Sequence, residues 1–182
     1  LIGENGAGKS TLMKIMAGVE QPTEGTLTLE GEQIDPKNPR EAEQQGIGII
    51  YQELNLFPNL NVAENIFMAH EQTLGGAMIQ HGAQEKRARE LLSRLEQPIN
   101  PRTLVQNLRI GQQQIVEIAK ALAQDMRILI MDEPTSALDM TVQAQIVDLL
   151  RALQQKHGLS YIFISHDLRV VKALSNNVVV MK

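Results

Sequence analysis

The sequence contains no cysteine and only four histidines. A chain without cysteine forms neither disulfides nor thiolate metal sites, and the histidines show no metal-ligand spacing. No apolar run approaches the roughly 20 residues that a membrane-spanning helix needs, and no signal peptide is visible. These absences exclude a disulfide framework and a cysteine-bound metal, and they favour a cytosolic protein.

Positive charge is scarce as well, because 17 Lys and Arg residues face 21 Asp and Glu residues and leave a net charge of −4. A surface that coats nucleic acid needs clustered Lys and Arg against the phosphate backbone, so the composition argues against such a partner. The 182 residues, 43% of them hydrophobic, are enough for one domain with a core of its own.

A glycine-rich segment near the start fits the pattern G-x-x-x-x-G-K-[ST]. Its glycines allow backbone N–H groups to turn inward around phosphate oxygens, and the helix that follows adds the positive end of its dipole. Lys9 is expected to reach the β- and γ-phosphates of a nucleotide, and the Ser10 hydroxyl to bind Mg²⁺. The segment comprises Gly3, Glu4, Asn5, Gly6, Ala7, Gly8, Lys9 and Ser10, with Thr11 next.

Strands and helices alternate along the chain, which predicts a parallel α/β core. Residues 35–39 are predicted to be a loop, and the stretch from Val62 to about Ala123 is predicted to be helical, with breaks at Gly75-Gly76 and at two prolines. The predicted strands are Gly25–Glu30, Ile47–Tyr51, Ile128–Met131 and Tyr161–Ile164, and the other predicted helices are Lys9–Ala17, Thr141–His157 and Asp167–Leu174.

The two ends of the chain have an unusual character. The chain begins at Leu1 without an initiator Met and enters the glycine-rich segment at once, whereas such a loop normally follows a buried strand. The far end stops within an apolar run, residues 177–182, that is typical of a strand. We interpret the sequence as a piece cut at both ends.

Two carboxylates follow the apolar run at Ile128–Met131. Asp132 is expected at the carboxyl end of a parallel strand, where the acid that organises Mg²⁺ beside a phosphate loop must lie. Glu133 points elsewhere and is the candidate general base for an attacking water. The phosphate loop alone leaves kinases, GTPases, helicases and ATP-binding cassettes open, so further motifs must decide.

These further motifs occur in a consistent order, and with them the sequence resembles the ATPases of ABC transporters over essentially its whole length. The resemblance implies ATP hydrolysis with ATP and Mg²⁺ bound. The motifs are Gln52 in a Q-loop, Leu108-Arg109-Ile110-Gly111-Gln112 in the signature segment, Asp132-Glu133-Pro134-Thr135-Ser136 in an extended Walker B segment, Ser136-Ala137-Leu138-Asp139 in a D-loop, and Ser165-His166-Asp167 in an H-loop.

The resemblance also implies a role for each of these positions. Gln52 would coordinate Mg²⁺ through its amide oxygen, together with Ser10 and Asp132, and would sense the γ-phosphate. Glu133 would act as the catalytic base, and His166 would hydrogen-bond the γ-phosphate or position Glu133 and the water. We therefore expect Glu133, His166 and Gln52 to be the catalytic residues.

The signature segment departs from the family pattern Leu-Ser-Gly-Gly-Gln, because Arg109 replaces the serine and Ile110 replaces the first glycine. Gly111 and the helix predicted from Gln112 still offer N–H groups and a dipole to a phosphate. In the family this segment binds ATP held by the opposite subunit. Asp139 is expected to contact the nucleotide as well. Arg109 would either supply positive charge there or obstruct the site and slow hydrolysis.

The fold implied by the resemblance is α/β, a P-loop NTPase (RecA-like) parallel-sheet core with an inserted α-helical subdomain. Residues 1–57 and 124–182 would form the core, and residues 58–123, with the signature segment, would form the helical subdomain. The implied partners are transmembrane permease subunits, a substrate-binding protein and a second ATPase domain in a head-to-tail dimer. The implied location is the cytoplasmic side of the cell membrane, where the protein would be peripheral.

Two subfamilies resemble different parts of the chain. Residues 46–54, 62–67 and 112–122 are similar to sugar import ATPases of the ribose and galactose type, whereas residues 139–150 and 161–168 are similar to oligopeptide and dipeptide import ATPases. A hybrid sequence joined between Asp132 and Leu138 is one interpretation, and a single divergent importer is the other. We favour sugar import, because residues near Gln52 and in the helical stretch would face the permease.

Two other functions remain open. A non-transport ABC ATPase, such as a repair clamp or a ribosome-bound factor, is less consistent with the sequence. The stretch of about 55 residues between Gln52 and Leu108 lacks the sustained heptads of a clamp, and the chain lacks the basic surface of a ribosomal factor. The other possibility is an inactive fragment that binds nucleotide weakly, which the cut ends and Arg109 would allow.

Overall fold

The computed structural model describes residues 1–4, 6–71, 73–74, 78–136 and 138–182, without the side chains of residues 73, 74, 78, 79 and 157. The predicted phosphate-loop residue Asn5, the predicted break at Gly75-Gly76, and Ala137 of the D-loop lie outside the described residues. Within the described part of the chain, no helix combines the length and the hydrophobicity of a membrane span.

Short strands and helices alternate through the described residues. The strands are β1 (Ile2–Gly3), β2 (Leu27–Leu29), β3 (Glu32–Ile34), β4 (Ile47–Ile50), β5 (Thr73–Leu74), β6 (Met78–Ile79), β7 (Ile128–Asp132), β8 (Ser160–Ile164) and β9 (Val180–Met181). The helices are α1 (Lys9–Met16), α2 (Pro39–Gln44), α3 (Val62–Ile66), α4 (His81–Arg94), α5 (Ile110–Ala123), α6 (Met140–His157) and α7 (Leu168–Leu174), with a 3-10 turn at Val105–Asn107.

A parallel sheet lies at the centre of the molecule, with strand order β4-β7-β8. Strand β1 pairs in parallel with β9. The amide of Ser165, directly after β8, donates to the carbonyl of Leu1 at 3.4 Å, so the β1–β9 pair lies beside β8. The predicted parallel α/β core is therefore confirmed, and the carboxyl ends of its strands meet at one edge of the sheet.

The central strand β7 is buried on both faces, as its continuous apolar run predicts. Leu129 and Met131 belong to one core cluster, whereas Ile130 between them belongs to another, and all three are fully buried. Because side chains alternate across a strand, the two clusters lie on opposite faces of the sheet. Helices α1 and α2 contribute to the cluster around Ile130, and helices α3 to α7 contribute to the other.

Two local predictions were incomplete or wrong. Helix α2 was not predicted, although Asn38 and Pro39 are typical of a helix start and the Asn38 side chain accepts from the Glu41 amide at 3.0 Å. The predicted helical stretch from Val62 contains the antiparallel pair β5–β6. A periodicity averaged over so long a stretch does not resolve strands of two residues each.

A buried amide fixes the entry to helix α3. Asn65 is 1% exposed and accepts from the Phe57 amide at 2.7 Å. Its Nδ2 donates to the carbonyls of Phe57, Leu60 and Asn61 at 3.0 to 3.3 Å. One side chain therefore makes hydrogen bonds with four backbone groups of the segment that leads from β4 to α3, and it is the acceptor that pairs the Phe57 amide.

We predict that Asn65→Leu lowers the free energy of unfolding by about 1–3 kcal/mol, because it leaves the Phe57 amide without its acceptor and removes three further hydrogen bonds to carbonyls. Urea denaturation measures this loss. The exposed Asn176→Ala serves as the control and is expected to change the value by less than about 0.5 kcal/mol. A loss for Asn65→Leu no larger than that of the control would contradict the prediction.

Candidate nucleotide-binding site

The glycine-rich segment forms a tight turn ahead of helix α1. Gly6 and Gly8 have φ angles of 87° and 83°, in the left-handed region that glycine adopts without strain. The carbonyl of Gly8 accepts from the Leu12 amide at 2.9 Å and starts the helix. The first N–H groups of a helix lack intrahelical partners, so the turn and the helix start offer donors to an anion.

The Lys9 side chain folds back across this loop. Its Nζ donates to the carbonyl oxygens of Gly3 and Glu4 at 2.9 and 2.8 Å, and the Glu4 carbonyl also accepts from the Ala7 amide at 3.2 Å. The ammonium group therefore lies against the same loop whose amides would surround a phosphate.

The loop opens onto a cleft of about 370 Å³ at the carboxyl edge of the sheet. The structure brings Gln52 and the two predicted acids to this cleft together with the phosphate loop, although they are far apart in the sequence. Ile164, which sequence reasoning missed, is the apolar wall at the end of β8. The residues that line the cleft are Gly6, Gly8, Lys9, Ser10, Thr11, Gln52, Asp132, Glu133 and Ile164.

The two acids are held differently. Asp132 is the last residue of β7, paired in register with Ile164. Glu133 has a φ of 43°, an uncommon left-handed conformation for a residue with a side chain. Its amide donates to the carbonyl of Ile164 at 2.9 Å, which holds it in place.

His166 lies directly beside Glu133. Its Nδ1 is 3.0 Å from Glu133 Oε1, across a sequence separation of 33 residues. The histidine side chain is 72% exposed and the glutamate side chain 23% exposed. Glu133 thus lines the cleft, whereas His166 contacts it from outside the lining residues.

Partial burial raises the pKa of Asp132 above its ordinary value. The neighbouring charge of Glu133 raises the pKa further, and Lys9 opposes both effects. The carboxylate therefore lies in a site that favours an added positive charge, since a bound cation would offset its loss of solvation.

The oxygen donors of the cleft suit Mg²⁺. The described residues contain no group of three His, Cys, Asp or Glu side chains that could form a metal cage. Mg²⁺ is commonly held by only one or two carboxylates with phosphate and water oxygens. The hydroxyl of Ser10, the amide of Gln52 and the carboxylate of Asp132 meet this requirement within one cleft.

The signature segment lies elsewhere, because none of residues 108–112 lines this cleft. Leu108 packs against the core and Ile110 is 53% exposed. Arg109 is the N-cap of α5, and its amide donates to Gln112 Oε1 at 3.1 Å. A Cβ on Gly111 would lie 2.5 Å from Val142 Cγ1, so this glycine allows α5 and α6 to approach closely.

Asp139 caps helix α6. Its carboxylate accepts from the amides of Thr141 and Val142, both at 3.0 Å. Such a cap commonly stabilises a helix by about 1 kcal/mol. Asp139 does not line the cleft of its own chain, and its nucleotide contact stays a prediction.

A glycine-rich phosphate loop and an acid pair at the edge of a parallel sheet define the fold of the P-loop NTPases. A family profile described as "ABC transporter" matches residues 1–136. The chain belongs to the ABC transporter family.

Curated relatives align with the whole chain. It is 47% identical over 182 residues to the ribose import ATP-binding protein RbsA of Rhodopirellula baltica, and 45% identical over 184 residues to the xylose import ATP-binding protein XylG of Escherichia coli. The chain spans 35% and 36% of the lengths of these relatives. Both alignments include the C-terminal third, and the predicted resemblance of that third to peptide importers is not shown.

Solved structures share the fold. A nucleotide-free ATP-binding cassette from an ABC transporter superposes with a TM-score of 0.85 at 26% identity, over 99% of this chain and 74% of that one. A dimeric ATP-binding cassette in a post-hydrolysis state, bound to ADP and Pi, superposes with a TM-score of 0.79 at 28% identity, over 100% and 79%.

We predict that Asp132→Asn raises the melting temperature of the nucleotide-free protein at pH 7. The folded state holds a proton on Asp132 more tightly than the unfolded state, so the charged carboxylate lowers stability as the pH rises above its ordinary pKa of 3.8. The gain should shrink as the pH falls toward 4, in thermal unfolding from pH 4 to 8.

The exposed Asp148→Asn is the matched control and should show no such pH-dependent gain. A difference between Asp132→Asn and the wild type that stays constant with pH would contradict the assignment.

Proposed function

We propose that this chain is the ATP-binding and ATP-hydrolysing part of an ABC importer that carries sugars. The proposal rests on one observation: Lys9, Gln52, Asp132 and Glu133 line the same cleft at one edge of the sheet. A phosphate loop alone would suit many nucleotide-binding proteins. The added amide and acid pair provide the parts that hydrolysis needs.

Nucleotide binding rests on the phosphate loop. The Lys9 ammonium group exchanges its two carbonyl partners for phosphate oxygens, and the amides at the start of α1 donate to them. Asn5 belongs to the same proposed loop, Gly3 to Thr11. Ser10, Gln52 and Asp132 would hold Mg²⁺, which would neutralise charge on the phosphates.

Hydrolysis rests on the Glu133–His166 pair. Glu133 accepts a proton from the attacking water. His166 Nδ1 holds the Glu133 carboxylate at 3.0 Å and limits the directions in which it can point. The alternative role of the exposed His166 is to donate to the terminal phosphate instead, since a neutral imidazole has a single N–H.

The signature segment serves a second copy of the site. Three observations support a head-to-tail dimer. The segment does not line the cleft of its own chain, the start of α5 is exposed, and a dimeric cassette shares the fold. In that arrangement Arg109 supplies positive charge to the partner's nucleotide where the family has a serine. Leu108, Ile110, Gly111 and Gln112 position this helix start. Asp139 stays a predicted nucleotide contact.

Sugar is the favoured cargo because both named relatives are sugar import proteins and align over the whole chain. The same full-length alignment favours a single importer over a hybrid with a peptide importer. Permease subunits and a substrate-binding protein are the proposed partners, with the domain on the cytoplasmic face of the membrane. Residues 58–123 are the proposed helical subdomain that faces the permease.

Lys9→Ala is expected to weaken ATP binding by at least about tenfold, because a charge-assisted contact to phosphate contributes roughly 1.5–3 kcal/mol. Equilibrium titration with ATP and Mg²⁺ measures the affinity. Lys14→Ala is the control, since Lys14 lies on the same helix and pairs with Glu20 at 3.0 Å on the surface. Equal affinities for the two variants would remove the phosphate loop as the binding site.

Glu133→Gln is expected to abolish ATP turnover while ATP stays bound, because an amide is too weak a base to accept the proton. Phosphate release measures turnover, and nucleotide retained on the protein measures binding. The exposed Glu24→Gln is the control and should behave as the wild type. Turnover by Glu133→Gln at the wild-type rate would show that another group is the base.

In cells that express the whole protein with its permease, Glu133→Gln should also stop uptake of labelled ribose or xylose. Uptake of a labelled dipeptide should not depend on this residue. The reverse pattern would overturn the choice of sugar as the cargo.

A further inference from the structure

The segment between β7 and α6, here called the acid loop, begins with Glu133 and ends with Asp139. The Glu133 amide donates to the Ile164 carbonyl at 2.9 Å, and the Glu133 carbonyl accepts from the Ser136 amide at 3.0 Å. The φ of Glu133 is 43°, in the left-handed region. A residue with a side chain keeps such a conformation only where the surrounding structure holds it. The contacts that hold the acid loop therefore bear on the orientation of Glu133.

A side-chain hydrogen bond ties the acid loop to helix α6. Gln143, near the start of α6, donates from Nε2 to the hydroxyl oxygen of Thr135 at 3.1 Å. Thr135 is 3% exposed. Because water has little access to the Thr135 hydroxyl, no solvent contact readily replaces the bond when it is lost. The bond therefore fixes the middle of the acid loop against α6.

The start of α6 is itself held firmly. The Asp139 carboxylate accepts from the amides of Thr141 and Val142 at 3.0 Å, and the Asp139 carbonyl accepts from the Gln143 amide at 2.8 Å. On the other side, Val142 lies so close to α5 that a Cβ on Gly111 would be 2.5 Å from Val142 Cγ1. Gln143 therefore extends from a helix start that is capped and packed, so its amide group is a fixed support for the loop.

A single residue separates Glu133 from the supported Thr135. This residue is Pro134, which is buried. Its ring locks the backbone φ angle, so few rotations remain between the two positions. A displacement of Thr135 is therefore transmitted to Glu133 rather than absorbed along the way.

We infer that Gln143 is a positioning residue for ATP hydrolysis, which holds Glu133 in its orientation through the Thr135 hydroxyl. This inference rests on the proposed function, in which Glu133 accepts the proton of the attacking water. His166 holds the Glu133 carboxylate at 3.0 Å, whereas the Gln143–Thr135 bond holds the backbone that carries it. Because a misplacement of about 1 Å can cost up to about a hundredfold in rate, the second contact matters to turnover although it is remote from the nucleotide.

The test breaks the bond from either side. Gln143→Leu removes the donor, Thr135→Val removes the acceptor, and the double variant completes a cycle. Thr135→Ser is the conservative variant, since it keeps the hydroxyl. Tyr161→Phe is the matched control, because Tyr161 Oη donates to the Leu150 carbonyl of α6 at 3.0 Å and its removal costs the same helix one hydrogen bond elsewhere. ATP turnover, as kcat and KM, and the melting temperature are measured in the whole protein.

Gln143→Leu and Thr135→Val should each lower kcat about fivefold to tenfold, as the loss of one neutral hydrogen bond predicts, and leave the KM for ATP within about twofold. The double variant should lose no more than either single variant, since both remove the same bond. Thr135→Ser and Tyr161→Phe should keep kcat within about twofold. Losses that multiply in the double variant, an unchanged kcat in Gln143→Leu, or an equal loss in Tyr161→Phe would overturn the inference.

Hydrogen exchange separates this inference from the proposed function. The amides of Ser136 and Leu138 donate within the acid loop at 3.0 and 3.2 Å. Both should exchange faster in Gln143→Leu than in the wild type or in Tyr161→Phe, with or without nucleotide. A wild-type protein that does not hydrolyse ATP, with faster exchange in Gln143→Leu, would overturn the proposed function and leave the support of the acid loop standing. Unchanged exchange would overturn the inference even where ATP is hydrolysed.

Discussion

The parallel register of β4, β7 and β8 is the constraint on which the site depends. Each of these strands ends at the same edge of the sheet, and the residues just beyond their ends therefore meet. Gln52 follows β4, Glu133 follows β7 and His166 follows β8. The phosphate loop joins them because β1 lies beside β8. A shift of one residue in this pairing would turn the strand side chains to the opposite faces and separate the group.

The cleft combines features that each lower stability when considered alone. Burial and the neighbouring Glu133 raise the pKa of Asp132, and Glu133 has an uncommon left-handed backbone conformation. Both are tolerated because the middle of β7, Leu129 to Met131, is fully buried and the Ile164 carbonyl holds the Glu133 amide. Functional sites commonly combine such strain with a rigid scaffold, and here the scaffold is the sheet with an apolar core on each face.

Two buried polar side chains lie on the helices beside the sheet, Asn65 on α3 and Glu117 on α5. Asn65 makes hydrogen bonds with four backbone groups between β4 and α3 and contributes to stability. Oε1 of Glu117 has no hydrogen-bond partner among the described residues, and burial raises the pKa of this carboxyl group.

The sequence by itself determined the phosphate loop, the acid pair and the family, because each depends on residues that are neighbours along the chain. It also predicted the buried strands, since an apolar run at β7 requires cover on both faces. The family resemblance implied that the signature segment serves another subunit and left two roles open for His166. Only the tertiary structure decided that His166 lies 3.0 Å from Glu133 and that Asp139 caps a helix. Pairing of strands and packing of helices bring together residues that are far apart in sequence, and local periodicity carries no information about those distances.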